Sequence, residues 1–281
     1  MTMKSKRNKV ALVTGASSGI GQATAELLAK AGYTVYGTSR RGADSSGRSF
    51  EMLTLDVTSD ESVNRAVQLV MRREGRIDLL VNNAGFGVAP AGAEESSIGQ
   101  AQSIFDTNFF GVVRMTRAVL PHMRQQGAGR IVNIGSVLGL LPMPYGALYA
   151  ATKHAIEGYS ESLDHELRTR GIRVSVIEPA YTNTPFDANF LQPDAKVDAY
   201  NEARAAVSQR VKEVMAAADQ PGIVAQVVLK AAGAASPRLR YAAGGLAGRL
   251  TWLRRFAPAG LLDAGIRRDL RLDAVPTGAS S

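Results

Sequence analysis

Tyr149 and Lys153, four residues apart in Tyr149-Ala150-Ala151-Thr152-Lys153, are the pair in this chain best suited to handling a proton. On a helix that spacing places both side chains on one face, about one turn apart. An ammonium beside a phenol favours the phenolate, so Tyr149 can titrate below its ordinary value of about 10 and serve as proton donor or acceptor. Tyr-x-x-x-Lys is common on plain helix surfaces, so the pattern needs partners. Ser136 lies thirteen residues before Tyr149, at what reads as the carboxyl end of a strand. A hydroxyl there and a tyrosine in the next helix can converge on one carbonyl. His122, His154 and His165 read as surface or packing residues, which leaves no histidine-based triad. With no cysteine in the chain, disulfides, thiolate metal sites and cysteine nucleophiles are excluded, and no metal site is expected.

A second group of residues suits a nucleotide. Gly15-x-x-x-Gly19-x-Gly21, with Ser17, Ser18 and Ile20 between the glycines, falls between an apolar strand-like run and a helical pattern. Glycines allow a tight turn and close backbone approach, and the helix N-terminus beyond offers amides and a positive dipole end to a pyrophosphate. The end of the second strand should lie near an adenosine ribose, where a carboxylate would bind the hydroxyls of NAD. Here the residues are Ser39-Arg40-Arg41. Guanidinium suits a 2′-phosphate, which points to NADP(H) rather than NAD(H), with Arg40 ahead of Arg41. Asp56-Val57 can reach an adenine edge or cap the following segment. Asn82-Asn83-Ala84-Gly85 can orient backbone or touch a cofactor.

These residues require a frame that puts strand ends side by side. Short apolar runs at Val10–Val13, Thr34–Ser39, Phe50–Leu55, Leu79–Asn82, Ile131–Gly135, Val174–Ile177 and Leu239–Ala243 read as seven strands. Helical patterns alternate with them, near Ile20–Ala31, Ser59–Arg73, Gln102–Gln125, Ala147–Arg170, Tyr200–Ala217 and Gly222–Ala232. The first is expected to bury Ile20, Ala23, Leu27 and Ala31, the second Val63, Ala66 and Val70. Such alternation predicts an α/β fold, a single doubly wound Rossmann-type domain with a parallel sheet and helices on both faces. The segment from Tyr181 to about Asp198 lacks periodicity, and Gly42–Arg48 reads as a polar turn. The domain is expected over 8–245, followed by a basic amphipathic extension over 246–281.

Together, Thr14-Gly-Ala-Ser-Ser-Gly-Ile-Gly21, Asp56-Val57, Asn82-Asn-Ala-Gly85, Asn108, Ser136 and Tyr149-x-x-x-Lys153 resemble the short-chain dehydrogenase/reductase family, in its order and spacing across about residues 8–245. The resemblance implies strand order 3-2-1-4-5-6-7 and reversible hydride transfer between NADP(H) and a ketone, aldehyde or secondary alcohol. Tyr149 would be general acid or base, Lys153 would lower its pKa and hold the nicotinamide ribose, and Ser136 would bind the substrate oxygen. Asn108 would support a water relay to Lys153. Thr182 and Thr184 occupy positions that bind the carboxamide in relatives, after Pro179. The chain departs from the pattern at Pro179-Ala180, where the family commonly has Pro-Gly; either no positive φ is needed there or the nicotinamide loop is altered. A homodimer or homotetramer through the two long helices is also implied.

The apolar stretch Leu138–Tyr145, with Phe86, Tyr181, Phe186, Phe190 and Leu191, can line a hydrophobic pocket, and residues 185–198 can close over it. The stretch also resembles the steroid- and retinol-type branch of the family, which implies a bulky lipophilic ketone or alcohol as substrate. In the tail, Leu246, Leu250 and Leu253 fall at helical spacing beside Arg249, Arg254 and Arg255, with Trp252 and Phe256 as a second apolar pair. Packing over the cleft or a neighbouring subunit is expected, with contact to an anionic membrane surface the lesser alternative. The net charge of +8 sits mainly in the two ends of the chain, which argues against a nucleic-acid role. The basic N-terminus, Met1–Lys9, lacks the apolar core of a signal peptide, so a cytoplasmic location is expected. The competing reading is a catalytically silent NADP(H) sensor; intact Ser136, Tyr149, Lys153 and Asn108 favour an enzyme. A sugar-nucleotide epimerase ranks below both.

Overall fold

The computed structural model describes residues 8–42, 46–186 and 190–274. Seven parallel strands form one sheet in the order β3-β2-β1-β4-β5-β6-β7. They are β1 (Val10–Val13), β2 (Thr34–Ser39), β3 (Glu51–Thr54), β4 (Leu79–Asn82), β5 (Gly129–Ile134), β6 (Ile172–Pro179) and β7 (Arg240–Ala243). Period two divides β1 between two cores. Val10 and Leu12 pack with Val63, Val67 and Val70 of α2 (Asp60–Glu74), Met115 and Val119 of α4 (Gly111–Gln126) and Leu163 of α5 (Ala147–Leu167). Ala11 and Val13 face the opposite way, toward Ala25 and Leu28 of α1 (Gly19–Lys30) and Val224 and Val228 of α7 (Pro221–Gly233). A strand covered on both faces must be apolar throughout, which is why β1 and β4 read as unbroken apolar runs.

Two expectations about helices change. Helix α1 buries Gly21, Thr24, Ala25 and Leu28, and leaves Ala31 exposed, so its inner stripe is not the expected Ile20, Ala23, Leu27 and Ala31. Both stripes have helical spacing. Position 21 faces inward because the glycine loop approaches closely: a Cβ on Gly21 would stand 2.3 Å from the Gly15 carbonyl oxygen. The expected helix at Gln102–Gln125 is instead α3 (Ile98–Phe105), a π turn at Asp106–Phe110 and α4. That turn carries Asn108, and π turns widen a helix so that one residue projects differently from its neighbours. Helix α2 begins as read, with the Ser59 side chain accepting from the Ser62 amide, and buries Val63, Ala66 and Val70.

Helix α6 (Asn201–Ala216) precedes α7; α8 (Gly245–Phe256) and α9 (Ala259–Asp269) follow β7. The irregular segment before α6 is held by a buried carboxylate. Glu95 accepts from the amides of Gly92 at 2.6 Å and Val197 at 2.8 Å, and pairs with Arg204 of α6. The loop after β4 and the chain entering α6 therefore share one buried anion.

Candidate functional site

The carboxyl ends of the strands open into one cavity of about 1540 Å³. Parallel strands deliver their C-terminal loops to the same edge of the sheet, so residues far apart in sequence meet there. Among the expected site residues, the cavity is lined by Gly15, Ser17, Ser18, Gly19 and Ile20, then Ser39, Arg40, Arg41, Asp56 and Val57. Asn83, Ala84, Gly85, Ser136, Tyr149, Lys153, Pro179, Thr182 and Thr184 line it as well. Gly21 and Asn108 stand behind the wall.

The glycine loop begins where β1 ends. Gly15 and Gly19 have φ of 65° and 56°, the left-handed region that residues with a Cβ avoid. Asn83 braces the loop from β4: its Nδ2 donates to the carbonyl oxygens of Thr14 at 2.9 Å and Gly15 at 3.1 Å. The Thr14 hydroxyl accepts from the amides of Asn83 and Ala84. Of the two open readings for Asn83, bracing is the one these bonds describe. The N-terminus of α1 has no side-chain cap and no acidic residue in its first turn, which leaves its amides and positive dipole end directed at the cavity. Such a terminus suits a phosphate. Asp56 accepts from the Thr58 amide at 3.0 Å and hydroxyl at 2.8 Å, so it caps the turn while bordering the cavity.

Arg40 and Arg41 are exposed at the end of β2. A third guanidinium escaped the sequence reading. Arg48 comes back from the loop before β3, donates to the Ser17 carbonyl at 3.3 Å and lies 5.5 Å over the Phe50 ring. Its Nη1 is buried without a hydrogen-bond partner among the described residues. The signal in sequence was only an arginine in a polar loop; its approach to the glycine loop depends on how strands β2 and β3 are joined. Residues 43–45 of that loop lie outside the described residues.

On the other side, β5 ends at Ile134 and Ser136 turns toward the cavity, its Oγ accepting from the Leu138 amide at 3.1 Å. Lys153 is buried, and its Nζ donates to the Ile134 carbonyl at 2.9 Å while lying 5.5 Å from the Tyr149 ring centroid. Burial lowers its pKa from 10.5 to about 8, partly offset by the anionic field of Glu157 one turn on. The Lys153 ammonium is thus charged at neutral pH, next to the phenol. Asn108 is committed to local structure: it accepts from the Phe86 amide at 3.0 Å and donates to the Phe86 carbonyl at 2.8 Å and the Thr152 hydroxyl at 3.3 Å. The Thr152 hydroxyl in turn donates to the Tyr149 carbonyl at 2.8 Å. Asn108 therefore ties the loop after β4 to the helix that carries Tyr149.

After β6, Ala180 is not among the positive-φ residues, so the missing glycine costs nothing in backbone strain. The Thr182 hydroxyl is buried without a partner among the described residues, a polar group available to a ligand. Phe186 packs edge-on to Tyr149 at 5.8 Å and to Phe190 at 5.4 Å. The expected apolar residues Phe86, Leu138, Met143, Tyr145, Tyr181 and Leu191 all border this end. Residues 187–189 of the expected closing segment lie outside the described residues. Of the two packings expected for the tail, the one over the cleft is seen, with Leu246, Leu250 and Leu253 along the cavity; Val211, Val214 and Met215 of α6, and Leu262 and Ile266 of α9, line it without having been expected there.

Known proteins resemble this arrangement. The family model for short chain dehydrogenase matches residues 9–195. A 3-ketodihydrosphingosine reductase of Bacteroides thetaiotaomicron is 44% identical over 182 residues, 64% of this chain and 66% of that protein. Retinol dehydrogenase 8 of Bos taurus is 35% identical over 276 residues, 90% of this chain and 87% of that protein. A solved short-chain dehydrogenase from Streptomyces avermitilis superposes with a TM-score of 0.79 at 33% identity, covering 99% of this chain and all of that one. The family model, the near full-length relative and the shared strand order agree: the chain belongs to the short-chain dehydrogenase/reductase family of oxidoreductases.

Proposed function

We propose that this protein is an NADP(H)-dependent oxidoreductase acting on a lipophilic ketone or aldehyde, or on the corresponding alcohol, with Tyr149 as general acid and base. The observation that carries the reading is the meeting of Ser136, Tyr149 and Lys153 with the glycine loop in one cavity. The residues fit the dinucleotide: left-handed Gly15 and Gly19, the close packing of their loop on α1 that Gly21 permits, the uncapped α1 terminus and the unpartnered Thr182 hydroxyl. Arg40, Arg41 and Arg48 support a 2′-phosphate, which a guanidinium binds by charge-assisted, bidentate bonds. Among solved relatives, a serine dehydrogenase was complexed with NADP+ and a 3-ketoacyl-(acyl-carrier-protein) reductase from Brucella melitensis with NADH. The arginines favour the first of those cofactors for this chain.

When bound, the dinucleotide supplies or accepts the hydride. In reduction, negative charge gathers on the carbonyl oxygen. The Ser136 hydroxyl donates a hydrogen bond to that oxygen and Tyr149 donates the proton. The reverse direction returns the proton to the phenolate. Lys153 stabilises the phenolate with its buried charge, and Asn108 acts as a positioning residue through Thr152. The apolar walls exclude water and favour a bulky lipophilic substrate. Pairing of two copies through the α4–α5 face, where Phe110 is exposed, belongs to the same reading.

The test follows NADPH consumption against aldehydes, small ketones, steroids, retinoids and long-chain 3-keto compounds, with Tyr149→Phe as control. Turnover of a lipophilic carbonyl that falls about a thousandfold in the variant, with NADPH affinity unchanged, is expected. NADPH binding with no turnover across the panel would favour the sensor reading.

A further inference from the structure

Five of the eight exposed large apolar side chains among the described residues belong to α8 and α9: Leu246, Trp252, Leu253, Phe256 and Leu261. Trp252, Phe256 and Leu261 are 61%, 60% and 70% exposed. The Trp252 and Phe256 rings lie 5.5 Å apart, and the Arg255 guanidinium sits 5.5 Å over Phe256. Apolar surface gathered in one place, with aromatic rings at its centre, marks a contact surface rather than scattered exposure.

Charge identifies the partner. Helix α8 contains Arg249, Arg254 and Arg255 and no acidic residue. None of the three makes an ion pair among the described residues, whereas Arg267 pairs with Asp273, and Arg210 of α6 pairs with Asp269 of α9. A second copy docking α8 on α8 would bring three arginines against three, with Asp263 of α9 the one acidic residue over 245–266 to offset them. An anionic bilayer meets both requirements, because rings of Trp and Phe settle at the headgroup level and arginines are drawn to the surface potential. The helix is held in place for this: Arg254 donates to the Leu140 carbonyl at 2.9 Å, and Ala247 is buried. Leu246, Leu253 and Leu261 are exposed and also line the substrate cavity, so the patch is continuous with its mouth.

We propose that the outer face of α8 and the start of α9 seat on an anionic membrane surface, with the cavity opening toward the acyl region. The surface stands independently of the reaction; that a substrate enters through it rests on the lipophilic-substrate reading.

Trp252 is the single tryptophan of the chain, so its emission reports on this face alone. Full-length protein is mixed with vesicles of phosphatidylcholine, or of phosphatidylcholine with one third phosphatidylglycerol, and followed by co-sedimentation and tryptophan emission. Expected are a blue shift and sedimentation with the anionic vesicles only, weakened by high salt. Arg249→Glu with Arg255→Glu, and separately Phe256→Ala with Leu261→Ala, should each reduce partitioning at least about tenfold. Unchanged thermal unfolding and NADPH affinity would show that these variants are folded. Equal partitioning of wild type and variants, or no preference for anionic vesicles, would overturn the proposal. So would concentration-dependent dimerisation that is lost in Phe256→Ala/Leu261→Ala without any vesicle binding. Vesicle binding by a protein inactive on every carbonyl would leave this surface standing and overturn only the assigned reaction.

Discussion

Around the glycine loop, polar side chains from adjacent strand ends hold the backbone directly: Asn83 bonds the carbonyls of Thr14 and Gly15, and the Thr14 hydroxyl bonds the amides that follow β4. Around the apolar end of the same cavity the polar bonds stand behind the wall, from Asn108 to Phe86 and from Glu95 to Gly92 and Val197. Its walls come from Phe86, Leu138–Tyr145, Phe186, Phe190, α6 and the tail helices, packed through rings and aliphatic groups. The firmest polar anchor on that side is one buried carboxylate, Glu95, with Arg204. The difference suits the proposed chemistry. A dinucleotide is a constant ligand with phosphates in fixed places, and directional bonds can be built for it. A lipophilic substrate offers mostly area, and apolar walls recognise area with little demand on sequence.

That contrast breaks most visibly at Glu95. Replacing it by alanine leaves Arg204 facing a buried gap, and removing one partner of a buried pair costs about 3–5 kcal/mol. Glu95→Ala should lower the thermal midpoint by roughly 10 °C and raise KM for the lipophilic substrate. NADPH affinity, measured by its fluorescence on titration, should stay within about twofold, because the glycine loop has no bond to Glu95. Equal losses on both sides would show that the two ends are one mechanical unit.

The arginines give the next largest effect, confined to the other side. Arg40→Ala and Arg48→Ala should each weaken NADPH by about 2 kcal/mol, roughly thirtyfold, and NADH by no more than about twofold. Binding titrations with both nucleotides check this, and similar losses for the two would remove the 2′-phosphate assignment.

An effect that appears only as pH is varied falls at the junction. Glu178 of β6 is fully buried near Glu157, with Arg240 at 3.6 Å and Thr251 of α8 beside it. Burial and the neighbouring carboxylate raise its pKa from 4.5 to about 7. The native state therefore binds this proton more tightly than the unfolded chain does. The stability it confers is complete below about pH 4.5 and is lost as pH rises through about 7. A glutamine amide at this position would mimic the protonated carboxyl at every pH. Between about pH 4.5 and 8 the unfolding free energy of Glu178→Gln should gain about 3 kcal/mol on the wild type, measured by denaturant titration. A constant gap would mean that Glu178 stays ionised in the fold.

Much of this molecule is legible in one dimension. The apolar runs of β1, β2 and β4, the Ser59 cap of α2, the glycine loop and the Tyr149–Lys153 spacing are local features, set by strand and helix periods and by the space a glycine leaves. The order of the sheet followed from resemblance, and the meeting of Ser136 with Tyr149 from a strand end and the helix after it; the sheet has that order, and both side chains border the cavity. Other features depended on what packs against what. The inward face of α1 changed because the glycine loop leaves no room for a side chain at position 21, which turns Ala25 and Leu28 toward α7. The π turn at Asn108 interrupted a pattern that reads as continuous helix, since helical periodicity does not register one inserted residue.

The strands, the loop that leaves a helix terminus open to the cavity, and the pair proposed to handle the proton could be read from the order of residues, because each depends on neighbours a few positions away. Packing in three dimensions was needed to bring Arg48 to the glycine loop and to make Glu95 the anchor of the chain before α6. It also set α8 and α9 against the cavity with one face while baring Trp252 and Phe256 on the other. An amphipathic helix carries in its sequence the fact of two faces. Which face meets protein and which meets solvent is chosen by the surface it lands on.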